Sequence, residues 1–223
     1  VETEGGRGRI PPAFDVFGDE DMSDAATRII NGALVQLGED PVASIDQDPP
    51  PARVVKIRPH LRPAIRSVLK RYGFLCALDY LTLQPSQNIP ANWRFAHHYL
   101  MPEGALRLWT VDRSSGWERG VWVRPEDRAK LSCIRAIEGG ALNVAVVAER
   151  DADMLDANVE DAVVFELAAR ACRPMNGSVE RALELRKIAD DAILSAIAAD
   201  GQDAKADEAM VTDRLAVVRA AAG

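Results

Sequence analysis

The sequence predicts an α+β fold: mainly a helical bundle built on a long antiparallel helix hairpin, with a small antiparallel β-sheet inserted into it. Three observations predict this. Apolar residues recur every three or four positions before residue 73 and after residue 150, as on amphipathic helices. Between about 74 and 148 the period drops to two, and β-branched and aromatic residues accumulate. The two late helices are separated by so few residues that they must run antiparallel. The chain has 223 residues, 48% of them hydrophobic, enough for one domain with a real core. The predicted division is a flexible N-terminal arm (1–21), a helical bundle (22–73 and 150–201), an inserted β subdomain (74–149) and a C-terminal docking tail (202–223).

The arm carries Gly, Pro and charge without a period. Its Gly5-Gly6-Arg7-Gly8 run lacks the preceding strand and following helix of a phosphate cradle, so it reads as linker. Phe14, Val16 and Phe17 form an apolar cluster, a candidate anchor. Docking on a neighbouring subunit and local self-packing both stay open for it.

Ser23 is a good N-cap for the first helix, and Asp24 suits its first turn. Ala26, Ile29, Ile30, Ala33, Leu34 and Leu37 make one apolar face. Gly38 can close this helix in the left-handed conformation, and Pro41 blocks its continuation. After a Pro-rich loop at 48–51, Val54, Ile57, Leu61, Ile65 and Val68 mark a second helical stretch over roughly 52–71. Pro59 and Pro63 split it into a short turn of helix and a main helix beginning near Pro59 or Leu61.

Trp93, Phe95, His97 and Tyr99 alternate with Arg94, Ala96 and His98. Further strand-like runs cover 105–111, 120–124, 133–137 and 142–147, with Gly139-Gly140 placed as a hairpin turn between the last two. Asn158 is read as the cap of a deeply buried helix ending at Pro174. The short linker Met175-Asn176-Gly177 leads to a helix capped by Ser178. Leu185, Ile188, Ala192, Ile193 and Ile197 form its apolar stripe, and Gly201 ends it. In the tail, Met210, Val211, Leu215 and Val218 give a narrow apolar edge suited to docking.

Little in the sequence points to chemistry. No apolar run approaches the roughly 20 residues of a membrane span, and no cleavable signal pattern opens the chain. Cys76, Cys133 and Cys172 are odd in number and far apart, which fits buried thiols rather than a disulfide framework. The three histidines, His60, His97 and His98, form no metal-ligand spacing. The last two would point to opposite faces of a strand. There is no nucleophile elbow. The expectation is therefore no catalytic residue, no metal and no cofactor.

Net charge is −7, from 27 basic and 34 acidic residues, which disfavours a dedicated nucleic-acid binder. Against this stands one basic stretch. Arg53, Lys56, Arg58, Arg62, Arg66, Lys70 and Arg71 fall between Ala52 and Tyr72 with no acidic residue among them. Arg58, Arg62, Arg66 and Lys70 are spaced by four, where like charges on a helix repel by roughly 0.2–0.5 kcal/mol per pair. Their partner is either a carboxylate, for instance on a neighbouring subunit, or a phosphate backbone. A plain solvated face, its stems covering apolar surface, is the third reading.

Several segments, taken in order, resemble the tail tubular protein A family of podovirus head-to-tail adaptors. TRIINGALVQLGEDPVASIDQD (27–48) looks like the family's opening, Asn-x-Ala-Leu-x-x-Leu-Gly followed by Pro-x-x-Ser-Ile-Asp. Ala52-Arg53 before an apolar helix is similar, as are YLMPEGALRLWTV (99–111) and LNVAVVAERDADMLD (142–156). PMNGS (174–178) matches the family's helix linker in pattern. The resemblance spans about residues 23–200. It implies a structural virion protein of a bacteriophage and not an enzyme. Twelve copies would form a homo-oligomeric ring beneath the portal protein, with the C-terminal segment on the portal and the other end seating a tail nozzle or tail protein. The ring would line the exit channel for double-stranded DNA without reading its sequence. Its place would be the neck of the virion, after assembly in the host cytoplasm, with no membrane partner. The alternative is another helical assembly module, such as a head-completion or scaffold subunit.

Overall fold

The structure is a computed structural model that describes residues 24–113 and 115–221, with side chains described through 202 apart from 176. It is mixed helix and strand. Helix α1 (Asp24–Gln36) buries Ala25, Ala26, Ile29, Ile30, Ala33 and Leu34. It stops where the sequence says it must. Gly38 has φ +77°, its N–H donates to the Val35 carbonyl, and the Glu39 N–H donates to that of Leu34. These two bonds satisfy carbonyls that the helix end would leave bare. Ser23, the expected N-cap, lies outside the described residues. The second helical stretch is split as predicted. Helix α2 (Ala52–Ile57) passes through a 3-10 turn (Arg58–His60) into α3 (Leu61–Arg71).

The strands form two sheets, not one. Strands β1 (Leu78–Leu83), β6 (Leu142–Ala148) and β3 (Ala105–Val111) make the first sheet, in the order β1-β6-β3. Strands β2 (His97–Leu100), β5 (Lys130–Ala136) and β4 (Trp117–Val123) make the second, in the order β2-β5-β4. All pairings are antiparallel. Trp93 and Phe95 precede β2 rather than lying in it. Leu108, Leu142, Val144 and Val146 of the first sheet share a core with Tyr99, Ile134 and Ala136 of the second.

Gly139-Gly140 is therefore not a hairpin turn, because β5 and β6 belong to different sheets. Strand β6 is buried at six of its seven positions, so it needs the centre of a sheet with both faces covered. The crossover that takes it there is pinned by the Tyr99 hydroxyl, which donates to the Gly140 carbonyl (2.8 Å). Arg113 also donates to the Glu138 (2.7 Å) and Gly139 (2.9 Å) carbonyls.

Helix α4 (Ala157–Asn176) begins at an N-cap Asp156, not Asn158. Pro174 does not end it. The proline lies in the last turn, where its missing N–H removes one bond, and the helix closes at Gly177 (φ +71°), whose N–H returns to the Arg173 carbonyl. The Ser178 hydroxyl then accepts the Arg181 N–H at 3.1 Å, an N-cap for α5 (Val179–Ala221). Gly201 does not end that helix either, and α5 runs for 43 residues. The Ala- and Lys-containing sequence after Gly201 favours helix, and only a left-handed glycine stops one. The buried line of α5 is Leu185, Ala189, Ile193 and Ala196, while Ile188 is 39% exposed. The small alanines let α5 pack closely on α4.

The helical core gathers α1–α5 together with Phe74, Ala77 and Val147, and Leu78, Leu106 and Trp109 pack against it. The junction between helices and sheets is specific. Arg107 caps the end of α3 by donating to the Lys70 (3.0 Å) and Arg71 (3.3 Å) carbonyls, and its guanidinium stacks 4.9 Å from the Trp109 ring. Tyr72 meets the same ring edge-on at 5.2 Å. Gly73 is required beneath it, because a Cβ there would stand 2.6 Å from the indole.

Two glycines separate these conformational effects. Gly201 is helical with open space around it. Gly201→Ala should slow amide exchange in the flanking turns of α5 about 2–5-fold, corresponding to roughly 0.5–1 kcal/mol. Gly177→Ala forces a left-handed alanine and should lower the urea midpoint by an amount equal to about 1 kcal/mol.

Candidate assembly surfaces

Helix α3 presents the predicted basic row, and the chain itself answers most of it. Arg62 Nε donates to Glu149 Oε1 at 2.6 Å, and Arg66 Nε lies 3.9 Å from the same oxygen. One carboxylate thus sits between two arginines a helical turn apart and relieves their repulsion. The bond to Glu149 holds Arg62 more firmly protonated. Asp151 stands close by. Burial, then Asp153 and Glu149, push its carboxyl above the usual range, against the pull of Arg62. Arg58 belongs to the preceding 3-10 turn and faces Asp46 at 3.5 Å. Arg71 reaches Asp190 of α5 at 3.0 Å. Lys70 and Lys56 are exposed, with no carboxylate at ion-pair distance among the described residues. Glu149 could not be found from sequence, being 87 positions from Arg62.

The arm anchor Phe14, Val16 and Phe17 lies outside the described residues. The backbone of α5 runs through Met210, Val211, Leu215 and Val218, whose side chains also lie outside them. The described part of α5 carries exposed apolar residues: Val179, Leu183 and Leu194, the last two 61% and 63% exposed. Asp200 of the same helix is buried, and its Oδ1 accepts the Leu75 N–H at 2.8 Å.

A buried carboxylate fixes α5 against α4. Glu166 is 0% exposed. It accepts from Arg170 Nε (2.8 Å) one turn along α4, and from Arg186 Nη1 (2.8 and 2.9 Å) on α5. Nothing in the sequence marks Glu166, since a lone acidic residue in an apolar helix reads as surface.

The histidines separate as the strand pattern requires. The His97 ring packs at Gly139, where a Cβ would meet it at 2.8 Å. His98 is 4% exposed and sits opposite Arg135, and its Nδ1 has no hydrogen-bond partner. Burial, then Arg135 and His97, depress its pKa. Burial raises the Cys76 and Cys133 thiols, which keeps them protonated at neutral pH. No group of three or more His, Cys, Asp or Glu side chains among the described residues is placed to hold a metal ion. Among the described residues no helix is long and apolar enough to cross a membrane.

No family model matches the chain, and no curated protein matches it in sequence. Among solved structures, a chain described as "Neck of empty GTA particle computed with C6 symmetry" is similar at 16% identity and a TM-score of 0.25. The match covers 67% of this chain and 80% of that one. Likeness at this level carries no weight for fold or role.

Two tests follow. Glu166→Gln should cost about 1.5–3 kcal/mol in urea unfolding, as a lost charge-assisted hydrogen bond at a buried site. A double-mutant cycle on Arg62→Ala and Glu149→Ala should give a coupling of only about 0.2–1 kcal/mol, because Arg62 is 61% exposed. His98 sets a pH dependence. Its folded pKa lies below its unfolded value near 6.5, so below that pH the unfolded chain binds the extra proton and stability falls on acidification, until the folded pKa is reached. The thermal midpoint of the wild type should drop between pH 7 and 5.5 more than that of His98→Asn. Equal drops would refute the assignment to His98.

Proposed function

We propose that this chain is a structural virion subunit: a head-to-tail adaptor that forms a ring between portal and tail and lines the DNA exit channel. The observation that carries this reading is the reach of α5. The helix runs 43 residues from Val179 to Ala221, about 65 Å at 1.5 Å per residue, and its last part is the stretch 203–221. The sequence of that stretch keeps a one-sided apolar edge at Met210, Val211, Leu215 and Val218. A long helix with a narrow apolar edge suits a groove on a partner protein. The ordered resemblance to the adaptor family names that partner as the portal.

Charge fits the same role. A net charge of −7 keeps a DNA duplex from adhering to the lumen. Because the chain's own carboxylates already answer Arg58, Arg62, Arg66 and Arg71, the basic stretch suits further ion pairing with a neighbouring subunit better than phosphate binding. Twelve copies in the ring, a tail nozzle or tail protein at the far end, and a mechanical rather than catalytic task complete the proposal.

Deleting residues 203–223 tests it. The truncated chain keeps the whole core of the described side chains, from Ala25 to Ala196. The truncated chain should keep its thermal midpoint within a few degrees but no longer co-sediment with purified portal. Retained co-sedimentation refutes the docking role of α5.

A further inference from the structure

The two sheets have four edges, and three are protected. Strand β2 has only four residues, and its His98 carbonyl takes the Ser86 N–H at 2.7 Å. Strand β3 is broken by two register shifts, and Arg119 donates to its Leu108 carbonyl. On β4 the Val121 carbonyl takes Arg135 Nη2 at 3.2 Å. Short length, bulges and covering side chains are the usual ways to keep an edge from pairing.

Strand β1 has none of these. Its six residues, Leu78 to Leu83, pair with β6 without a shift and include no Pro, Gly or Lys. Its one charge, Asp79, is neutralised by Arg150. Among the described residues nothing bonds to its outward backbone groups. Beside it opens a hollow of about 330 Å³, where the helices no longer cover the first sheet, lined by Tyr80, Thr82, Thr110, Asp112, Asn143 and Ala145. Thr82, Asn143 and Asp112 bond to one another across its floor (2.7 and 2.8 Å), and Tyr80 is 77% exposed at its rim. An edge with a bare backbone and an apolar-walled hollow beside it fits an added strand.

We infer that the outer edge of β1 is the seat of the chain's own N-terminal arm, with residues 13–17 pairing as a fourth strand. Pro11 and Pro12 predispose the arm to extended backbone. In such a strand Phe14 and Val16 would share one face, by the two-residue period. The reach suffices. Six residues lie between Phe17 and Asp24, so the two Cα atoms can stand up to about 25 Å apart in extended chain. Helix α1 packs at the turn Ala152–Met154, just after β6, and its early part lies there, because Arg28 pairs with Glu160 at the start of α4. The end of β6 lies beside the start of β1, with Val147 opposite Leu78, and Arg150 binds both the Cys76 carbonyl and Asp79.

Hydrogen exchange read by mass spectrometry on the isolated monomer tests this independently of any adaptor role. Amides in 13–17 and in 78–83 should exchange at least ten-fold more slowly than a free peptide. Removing residues 1–19 should speed exchange in 78–83 about ten-fold while 142–148, the β6 control for folding, stays unchanged. Val16→Pro in the otherwise full chain should give the same release. Free-peptide rates in 13–17 overturn the inference, as does exchange in 78–83 that neither change speeds. Protection that appears only as concentration rises assigns the edge to a second copy and overturns the in-chain pairing.

Discussion

Helix α4 sets the constraint on which the rest depends, because its sequence cannot face water over most of its length. Val159, Ala162, Val163, Leu167, Ala168, Ala171 and Cys172 are all essentially inaccessible. Burying them requires cover from several directions, and α1, α2, α3 and α5 all pack on this helix. At about 25 cal/mol per Å² of apolar surface, this enclosure is the main force that holds the helices together. Glu166 is the exception that adds direction. A buried carboxylate is tolerated only when paired. Its two arginines, one on α4 and one on α5, therefore hold the two helices in one register.

That register is passed on to the sheets. Arg71 of α3 reaches Asp190 of α5, and Asp200 of α5 holds the Leu75 N–H just before β1. Arg107 of β3 caps α3 from the sheet side and stacks on Trp109, which in turn needs Gly73 beneath it. Helices and sheets are thus joined by directional contacts as well as by apolar packing.

The sequence was most informative where a structural decision is local. Gly38, Pro59, Ser178 and the apolar spacing of α1 each act within a turn or two, and each appears where the pattern placed it. It misled where a local signal was outweighed. Gly201 reads as a stop but lies in a helix-favouring run. Gly139-Gly140 reads as a hairpin turn, but β6 is apolar on both faces and needs the centre of the other sheet. Ile188 fits a helical stripe, yet the alanines beside it are what bring α5 close to α4. Of the candidate site, the positions of Arg62, Arg66 and Lys70 on one helix were legible. Their partner Glu149, the buried Glu166 and the bare edge of β1 were not, because each depends on residues brought together only by the fold.

The role proposed for the chain is to close a ring on a portal. Native mass spectrometry of the full chain incubated with purified portal tests it most directly. The predicted result is a single complex whose mass equals the portal plus a fixed multiple of the chain, about twelve copies if each portal subunit takes one. A bare portal beside monomeric chain, at any ratio of the two, would contradict it.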